Sequence, residues 1–406
     1  SYVSGHELRN RGDVRTENAT RTALNPQDRD GLQLLGKLAV PIADGNLLRF
    51  AVESADTTIT TNAFSLRTAA VSDITSDDRM RRQRVSADQA IVNAVGLTQL
   101  SWSAYGQWSD TDQIVDEVRA AAGPTPAVNR RGTLGYTQAS IGGTLQGRKA
   151  LVRGQQSVLL TFGTAHKRHT FDMLRDRLDL NAVTGAIVPP TGGLILPSKY
   201  FPRSVVGETG TYAQAEMRLG RLMLVPGVRY DRFTLDADEA DPVFLATMSP
   251  TPADFAAGAL STKLGASFRA APAITIHGQW AEGFRAPPYS AVNSGFTNLV
   301  GGYTSVPNTA LDAETSQNVE GGVRASLRRV SVGVTGFYNH YDNFIDQVAR
   351  GMNPTTRLLE YQYQNFADVE IRGIELQGDA QLRPTLRLRA SYAAIRGDNT
   401  SGGTSV

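Results

Sequence analysis

Strand-length runs in which apolar and polar side chains alternate recur along this chain, and that period of two limits the folds open to it. Ile374, Leu376, Gly378, Ala380 and Leu382 take one parity, and Glu375, Gln377, Asp379 and Gln381 the other. After a tight turn at 383–385, Leu386, Leu388, Ala390, Tyr392 and Ala394 alternate with Arg387, Arg389, Ser391 and Ala393. Upstream, Val319, Gly321, Val323, Ala325 and Leu327 alternate with Glu320, Gly322, Arg324 and Ser326. Successive residues of a β-strand point to opposite faces, so each run has one apolar and one polar face. An amphipathic helix would instead repeat apolar residues every three or four positions. No helix-period segment of convincing length is present.

Alternation alone fits a soluble sandwich or a membrane barrel. Length separates them. These runs reach about ten residues or more, whereas sandwich strands lie nearer five or six. Short turns also alternate with long polar segments, as in a barrel with short periplasmic turns and long extracellular loops. The segment 96–110 adds aromatic residues: Leu100, Trp102, Ala104 and Trp108 share one parity, against Gln99, Ser101, Ser103 and Gln107. Aromatics so placed would form an interfacial girdle. No run of eighteen or more apolar residues occurs, so no helix of the chain would span a membrane. That leaves a barrel open, because alternation hides its apolar residues in a slightly negative mean hydropathy. The fold class predicted is all-β: a transmembrane antiparallel barrel, of which this chain supplies about 14–15 strands. Neighbouring strands should pair in sequence order. Val319, Val323, Leu327, Ile374, Leu376, Leu382, Leu386 and Leu388 should face outward, and Glu320, Arg324, Glu375, Asp379 and Arg387 should face the lumen.

Long loops are expected at 9–30, 56–78, 110–129, 171–208, 236–259, 285–315 and 346–359, from their polar, Gly- and Pro-containing composition. Hairpins are expected at 32–54, turning at 43–46, and at 374–394. The basic cluster 79–84 precedes a strand at 85–92, as a solvated strand end or a patch against anionic headgroups. A net charge of +2 favours no nucleic-acid partner. The chain has no cysteine, which excludes disulfides and thiolate metal sites. It carries no nucleophile elbow, phosphate-binding loop or HExxH, and neither a catalytic residue nor a metal site is expected. With Ser at position 1 and the non-aromatic Val406 at the end, the chain reads as a fragment of a barrel open at both ends.

The segment 282–322 carries the most specific signal. Phe284-Arg285-Ala286-Pro287 is followed by a Gly-, Ser- and Asn-rich stretch, then by Asn308 and Leu311, Glu314-Thr315, and Glu320-Gly321. This resembles the FRAP box and the NPNL…ET…E.G box of TonB-dependent outer-membrane receptors of the haem/haemoglobin uptake group. Further similarity lies at 25–38, 337–345 and 361–376, so the resemblance spans nearly the whole chain. It implies a barrel of 22 strands whose plug domain has no counterpart in these residues. It also implies location in the outer membrane of a Gram-negative bacterium, contact with outer-membrane lipid, and coupling through the plug to the TonB energy-transducing complex. The transported ligand would be haem or haemoprotein-derived iron, with no cofactor permanently bound; a ferric siderophore is the alternative. A passive porin and a secreted β-rich adhesin are more distant readings.

Candidate ligand contacts fall in the segment between the boxes: Arg285, Tyr289, Asn293, Phe296, Asn298, Tyr303 and Asn308. Aromatic faces and a few polar groups suit a flat porphyrin. Arg285 could pair with a ligand carboxylate or brace the loop. Haem receptors of this kind place a ligand histidine between the boxes, but 287–308 holds none, so Tyr289 and Tyr303 are the axial-capable residues there. His277 should line the lumen, by parity with Thr275 and Gln279. His166 and His169 should sit on opposite strand faces, and His340, between tyrosines, in a girdle.

Overall fold

A computed structural model describes residues 2–14, 24–43, 46–190, 194–247, 251–298, 301–399 and 404–405. The alternating runs become strands: β1 (Tyr2–Val14), β2 (Asn25–Ala43), β3 (Asn46–Asn62), β4 (Val71–Val92), β5 (Gln99–Arg119), β6 (Val128–Arg153), β7 (Gln156–Asn181), β8 (Ser204–Leu219), β9 (Leu222–Ala237), β10 (Phe255–Ala271), β11 (Ile274–Arg285), β12 (Phe296–Asn298), β13 (Tyr303–Val306), β14 (Glu314–Ser326), β15 (Val330–Met352), β16 (Leu359–Arg383), β17 (Leu386–Asn399) and β18 (Thr404–Ser405). Two short helices, α1 (Pro242–Thr247) and α2 (Tyr289–Val292), lie in connections. The centre of the hairpin turn at 44–45, much of the 9–30 segment, and 400–403 with Val406 near the chain end fall outside the described residues.

Fifteen of these strands form the wall, with β12, β13 and β18 as short additions. The wall strands pair antiparallel in sequence order from β1 to β11, and from β14 to β17, with β11 joined to β14. One ladder departs from the antiparallel expectation: β13 runs parallel to β16, Tyr303 opposite Leu359 and Val306 opposite Gln362. The reason is an open edge. The β17 ladder with β16 reaches only to Val369, which leaves the 359–362 end of β16 free on that side. An unpaired edge must be covered, and β13 covers it.

The expected loops are shorter than composition indicated, because the strands continue into them. β3 runs to Asn62 and β4 starts at Val71; β5 ends at Arg119, and β7 continues to Asn181. Polarity there marks cross-strand charge pairing, not loss of the ladder. Arg79 pairs with Asp56 at 2.6 Å, Arg81 with Asp112 at 2.9 Å, Arg131 with Asp116 at 2.8 Å and Arg130 with Asp179 at 2.8 Å. The basic cluster 79–84 therefore lies inside β4, and its last member, Arg84, covers the Tyr105 ring at 4.3 Å. Opposite charges facing across neighbouring strands stabilise a sheet modestly.

The register sorts the two faces. Ile276, Val323, Val334, Leu376 and Tyr392 are opposed in turn across β11, β14, β15, β16 and β17. They form one apolar row on the outer face, and Val334 there is 43% exposed. Arg324 instead shares a face with Thr275, Gly333 and Gln377. The outward apolar positions cover 330–338 on β15 and 374–382 on β16, within the roughly 9–11 residues that a tilted strand needs to cross a bilayer. Trp280 and Tyr338 stand at the upper end of this band, both aligned with Val319, with Arg372 opposite Tyr338 at the same level, and Glu282, His340 and Glu370 follow one outward position beyond. The short turns, such as 154–155 and 220–221, lie at the other end of the strands. The buried core is small. It sits on the inner face, where the long connections fold back onto β6–β9 and β15, around Phe171, Leu235, Val292 and Leu311.

Candidate functional site

The connection between β11 and β14 is held at its base by the two sequence boxes. Arg285 and Glu314 are directly opposed at the last pair of the β11–β14 ladder. Glu314 is buried and accepts both the Arg285 guanidinium, at 3.0 and 3.2 Å, and the Ile345 N–H at 2.7 Å. Phe284 faces Thr315 one pair below, and Glu320 and Gly321 continue down β14. Ala286 and Pro287 leave the ladder, since proline has no N–H to donate. Pro288, extended at φ −57° and ψ 139°, starts α2, which places Ala291 and Val292 in the core.

From there the segment is fastened to the wall and to neighbouring connections. Tyr289 stacks on Phe171 with centroids 4.0 Å apart, meets Phe201 edge-on at 5.1 Å, and its hydroxyl lies 2.9 Å from that of Tyr136. Burial, then the Tyr136 hydroxyl, push its phenol pKa well up, so Tyr289 stays neutral. Asn293 is buried, and its amide makes two 2.9 Å bonds with the Ala253 backbone. Phe296 lies edge-on to Tyr200 at 4.5 Å, and Tyr303 edge-on to both Phe296 and Tyr361 at 5.9 Å. Asn298 accepts the Gly301 N–H, Asn308 donates to the Tyr363 carbonyl at 2.8 Å, and Leu311 is buried. The structure thus gathers the aromatic and amide groups of this segment into packing and hydrogen bonds with the wall, with neighbouring connections and within the segment itself. Arg285 differs: its side chain is 61% exposed despite the bond to Glu314. It borders a cavity of about 390 Å³ with Glu208, Arg229 and Asp231.

Two further cavities open on the inner face. One of about 240 Å³, beside β5–β7, is bordered by Gln113, Glu117, Arg130, Arg175, Arg177 and Tyr200. The other, about 670 Å³, lies towards the short-turn end and brings together His277, Arg324, Glu375, Asp379, Arg387 and Arg389. Within it Asp379 accepts Arg387 at 2.7 Å and Arg389 at 3.1 Å. An interior lined by both signs of charge can hold polar groups of a ligand or a second protein segment, but nothing there is arranged as a nucleophile and base.

The chain matches the family described as TonB dependent receptor-like, beta-barrel, over residues 9–406. It belongs to that family. No curated protein matches it in sequence. Among solved structures, it resembles a copper transporter, OprC, at TM-score 0.69 and 15% identity, covering 100% of this chain and 58% of that one. It resembles a double mutant of the Serratia marcescens hemophore receptor HasR, in complex with its hemophore HasA and heme, at TM-score 0.66 and 16% identity, covering 98% and 58%. It also resembles BauA, the ferric preacinetobactin receptor of Acinetobacter baumannii, at TM-score 0.60 and 12% identity, covering 98% and 57%. The chain thus spans somewhat more than half of each. At these identities the likeness is one of fold. The family consists of outer-membrane transport receptors, not enzymes.

On this TonB-dependent receptor barrel the histidines divide as follows. His166 and His169 face opposite sides, bonded to Thr209 at 2.8 Å and Ser140 at 2.7 Å. His340 lies on the outer face, just beyond the level of Trp280 and Tyr338. It sits one outward position above Tyr338, with Nε2 3.2 Å from Asp342 and Nδ1 3.9 Å from Glu370. Its cross-strand partners are Gln317 on β14 and Glu370 on β16. Ligand-capable atoms of His340, Asp342 and Asp368 lie within 4.8 Å of one another, a grouping invisible in the sequence because Asp368 comes from the next strand. Sequence reading also missed Lys199, 9% exposed, whose ammonium lies 2.7 Å from both Asp172 and Asp241. Asp241 is at once the N-cap of α1, accepting the Val243 and Phe244 N–H groups ahead of Pro242 in the first turn. The sequence signal for the cap was Asp-Pro; nothing in the sequence marked its lysine partner.

Proposed function

We propose that this chain is the barrel part of an energised receptor in the outer membrane of a Gram-negative bacterium, which takes up an iron-containing ligand. Haem or haemoprotein-derived iron is the first ligand class, and a ferric siderophore the second. The observation that supports this reading is the inward fold of the connection between the FRAP-like and ET-like boxes. It crosses from β11 to the β6–β7 wall, where Tyr289 meets Tyr136 and Phe171, and on to β16 through β13. Here the interior is divided into cavities bordered by arginines and carboxylates. Loops capture the ligand, a plug domain closes the lumen, and the TonB complex, driven by the inner-membrane proton gradient, moves the plug. The barrel supplies selectivity and a path.

One observation favours the second ligand class. Tyr289, an axial-capable residue of this segment, is stacked, hydrogen-bonded and held neutral. A siderophore brings its own iron ligands and needs none from the protein. The test is growth under iron limitation of a strain lacking the full-length gene, on haem, haemoglobin or a panel of ferric siderophores, with and without TonB. Growth on one of these sources should require both the gene and TonB. Uptake that needs the gene but survives loss of TonB would overturn the reading in favour of a pore.

A further inference from the structure

The cavity beside β5–β7 carries more positive charge than its own carboxylates satisfy. Glu117, Arg130 and Asp179 are opposed in turn across the three strands. On the same face, by the alternation of the strands, Arg119 comes two pairs to one side, Gly132 and Arg177 two pairs to the other, and Leu134 and Arg175 two pairs further. Four guanidinium groups, those of Arg119, Arg130, Arg175 and Arg177, thus meet two carboxylates. Both carboxylates are already engaged. Glu117 accepts Arg119 at 2.6 Å, and Asp179 accepts two bonds from Arg130, at 2.8 and 3.0 Å. Arg177 Nε is buried and lies 3.4 Å from Asp179 without a hydrogen bond. Arg175 has no carboxylate within ion-pair distance among the described residues; its guanidinium stands 5.7 Å above the Phe296 ring. Asp176 also borders the cavity, but it is exposed and of the opposite parity.

We infer that this cavity binds a carboxylate group of the transported ligand, with Arg175 and Arg177 as its principal partners. The inference rests on the receptor reading above. Crowded guanidinium groups repel one another strongly where water is scarce, and an anion between them relieves this. A carboxylate fits best, since its two coplanar oxygens match the guanidinium fork. The volume of about 240 Å³ is roughly that of eight liquid waters, enough for a small polycarboxylate or the acid arm of a larger chelate. Gly132 leaves the floor open: a Cβ there would meet nothing closer than the Val115 carbonyl at 3.8 Å. The Phe296 ring and the Tyr200 ring, whose hydroxyl is hydrogen-bonded to Arg175, form the rim on the side facing the inward-folded segment.

The probe is calorimetry on the full-length receptor in detergent, with iron-free citrate, ferric citrate, haem, haem dimethyl ester, a neutral ferric hydroxamate and inorganic phosphate. Two variants test the site. Arg175→Gln with Arg177→Gln removes the partners. Gly132→Leu fills the cavity and leaves the arginines. Each should weaken binding of the carboxylate ligand by about tenfold to a hundredfold, the range for a lost charged hydrogen bond. Arg131→Gln, on the outer face of the same wall, should leave it unchanged. If a polycarboxylate is the source of the group, both citrates respond; if porphyrin propionates are, haem responds and its dimethyl ester does not. Unchanged affinity for every carboxylate ligand in both variants overturns the inference, as does phosphate bound as tightly as any of them, or no carboxylate binding by the wild type. Binding and uptake of the hydroxamate alone would overturn it while the receptor reading stands. Arginine-dependent binding of iron-free citrate without uptake of any iron source would do the reverse.

Discussion

The lipid-facing wall can be tested at Val334. It lies midway along the outward band of β15, four residues from both Val330 and Tyr338, or roughly 13 Å of strand either way. Val323 and Leu376 flank it on the neighbouring strands. Val334→Arg would place a guanidinium near the bilayer midplane, which costs about 2–4 kcal/mol in such barrels, a shift of roughly thirty- to several-hundred-fold in the folding equilibrium. The neighbouring residue supplies the control. Thr335 borders the large inner cavity and is opposed by Glu375. Thr335→Arg would therefore gain water or a carboxylate, and should change stability by about 0.5 kcal/mol or less. Urea titration of the full-length barrel refolding into lipid vesicles, followed by tryptophan fluorescence, measures both. If Thr335→Arg destabilised the barrel as much as Val334→Arg, the assignment of faces would be wrong for the whole β11–β17 sector, because its register ties those strands together.

Two further expectations concern the connections. Lys199→Ala should strand the buried carboxylate of Asp241 and loosen the α1 connection by about 3–5 kcal/mol, read as faster hydrogen exchange over 238–247. Burial pushes the Asp241 carboxyl up, but Lys199 and the Arg203 and Phe244 N–H groups outweigh it and hold the pKa below its usual value; burial pulls the Lys199 ammonium down, but Asp172 and Asp241 hold it above its usual value. The pair's contribution is therefore full between the ordinary carboxylate and lysine ranges. It should be lost as pH falls through the depressed Asp241 value, and again as pH rises through the raised Lys199 value, so the variant and the wild type should converge in acid. Tyr289→Phe in the full-length receptor should leave any haem absorption spectrum unchanged. It keeps the ring stacked on Phe171 and loses the Tyr136 hydroxyl contact, at about 1 kcal/mol of stability. A shifted haem spectrum would show that the phenolate is an iron ligand after all.

The sequence by itself determined the wall. The period-two pattern of 319–327 and 374–394 fixes which side chains share a face, because a strand offers no other arrangement, and a one-residue slip would put Arg324 or Glu375 into lipid. The same pattern bounded the strand number and, with the boxes at 284–287 and 308–321, pointed to the family. Where strands end was not legible. Polar residues at 56–62, 71–78 and 110–119 read as loop, yet extend the ladders, because their charges are met by partners one strand away and more than ten residues off in sequence. The interior was decided only by tertiary structure. Tyr289 and Asn293 have the composition of ligand contacts, and whether they meet a ligand or the wall depends on where the β11–β14 connection lands. It lands on Phe171, Tyr136 and Ala253, from three different parts of the chain. The arginine cavity is likewise a product of register: Arg119, Arg130, Arg175 and Arg177 become neighbours only when β5, β6 and β7 pair as they do, and no local pattern in the sequence carries that distance information.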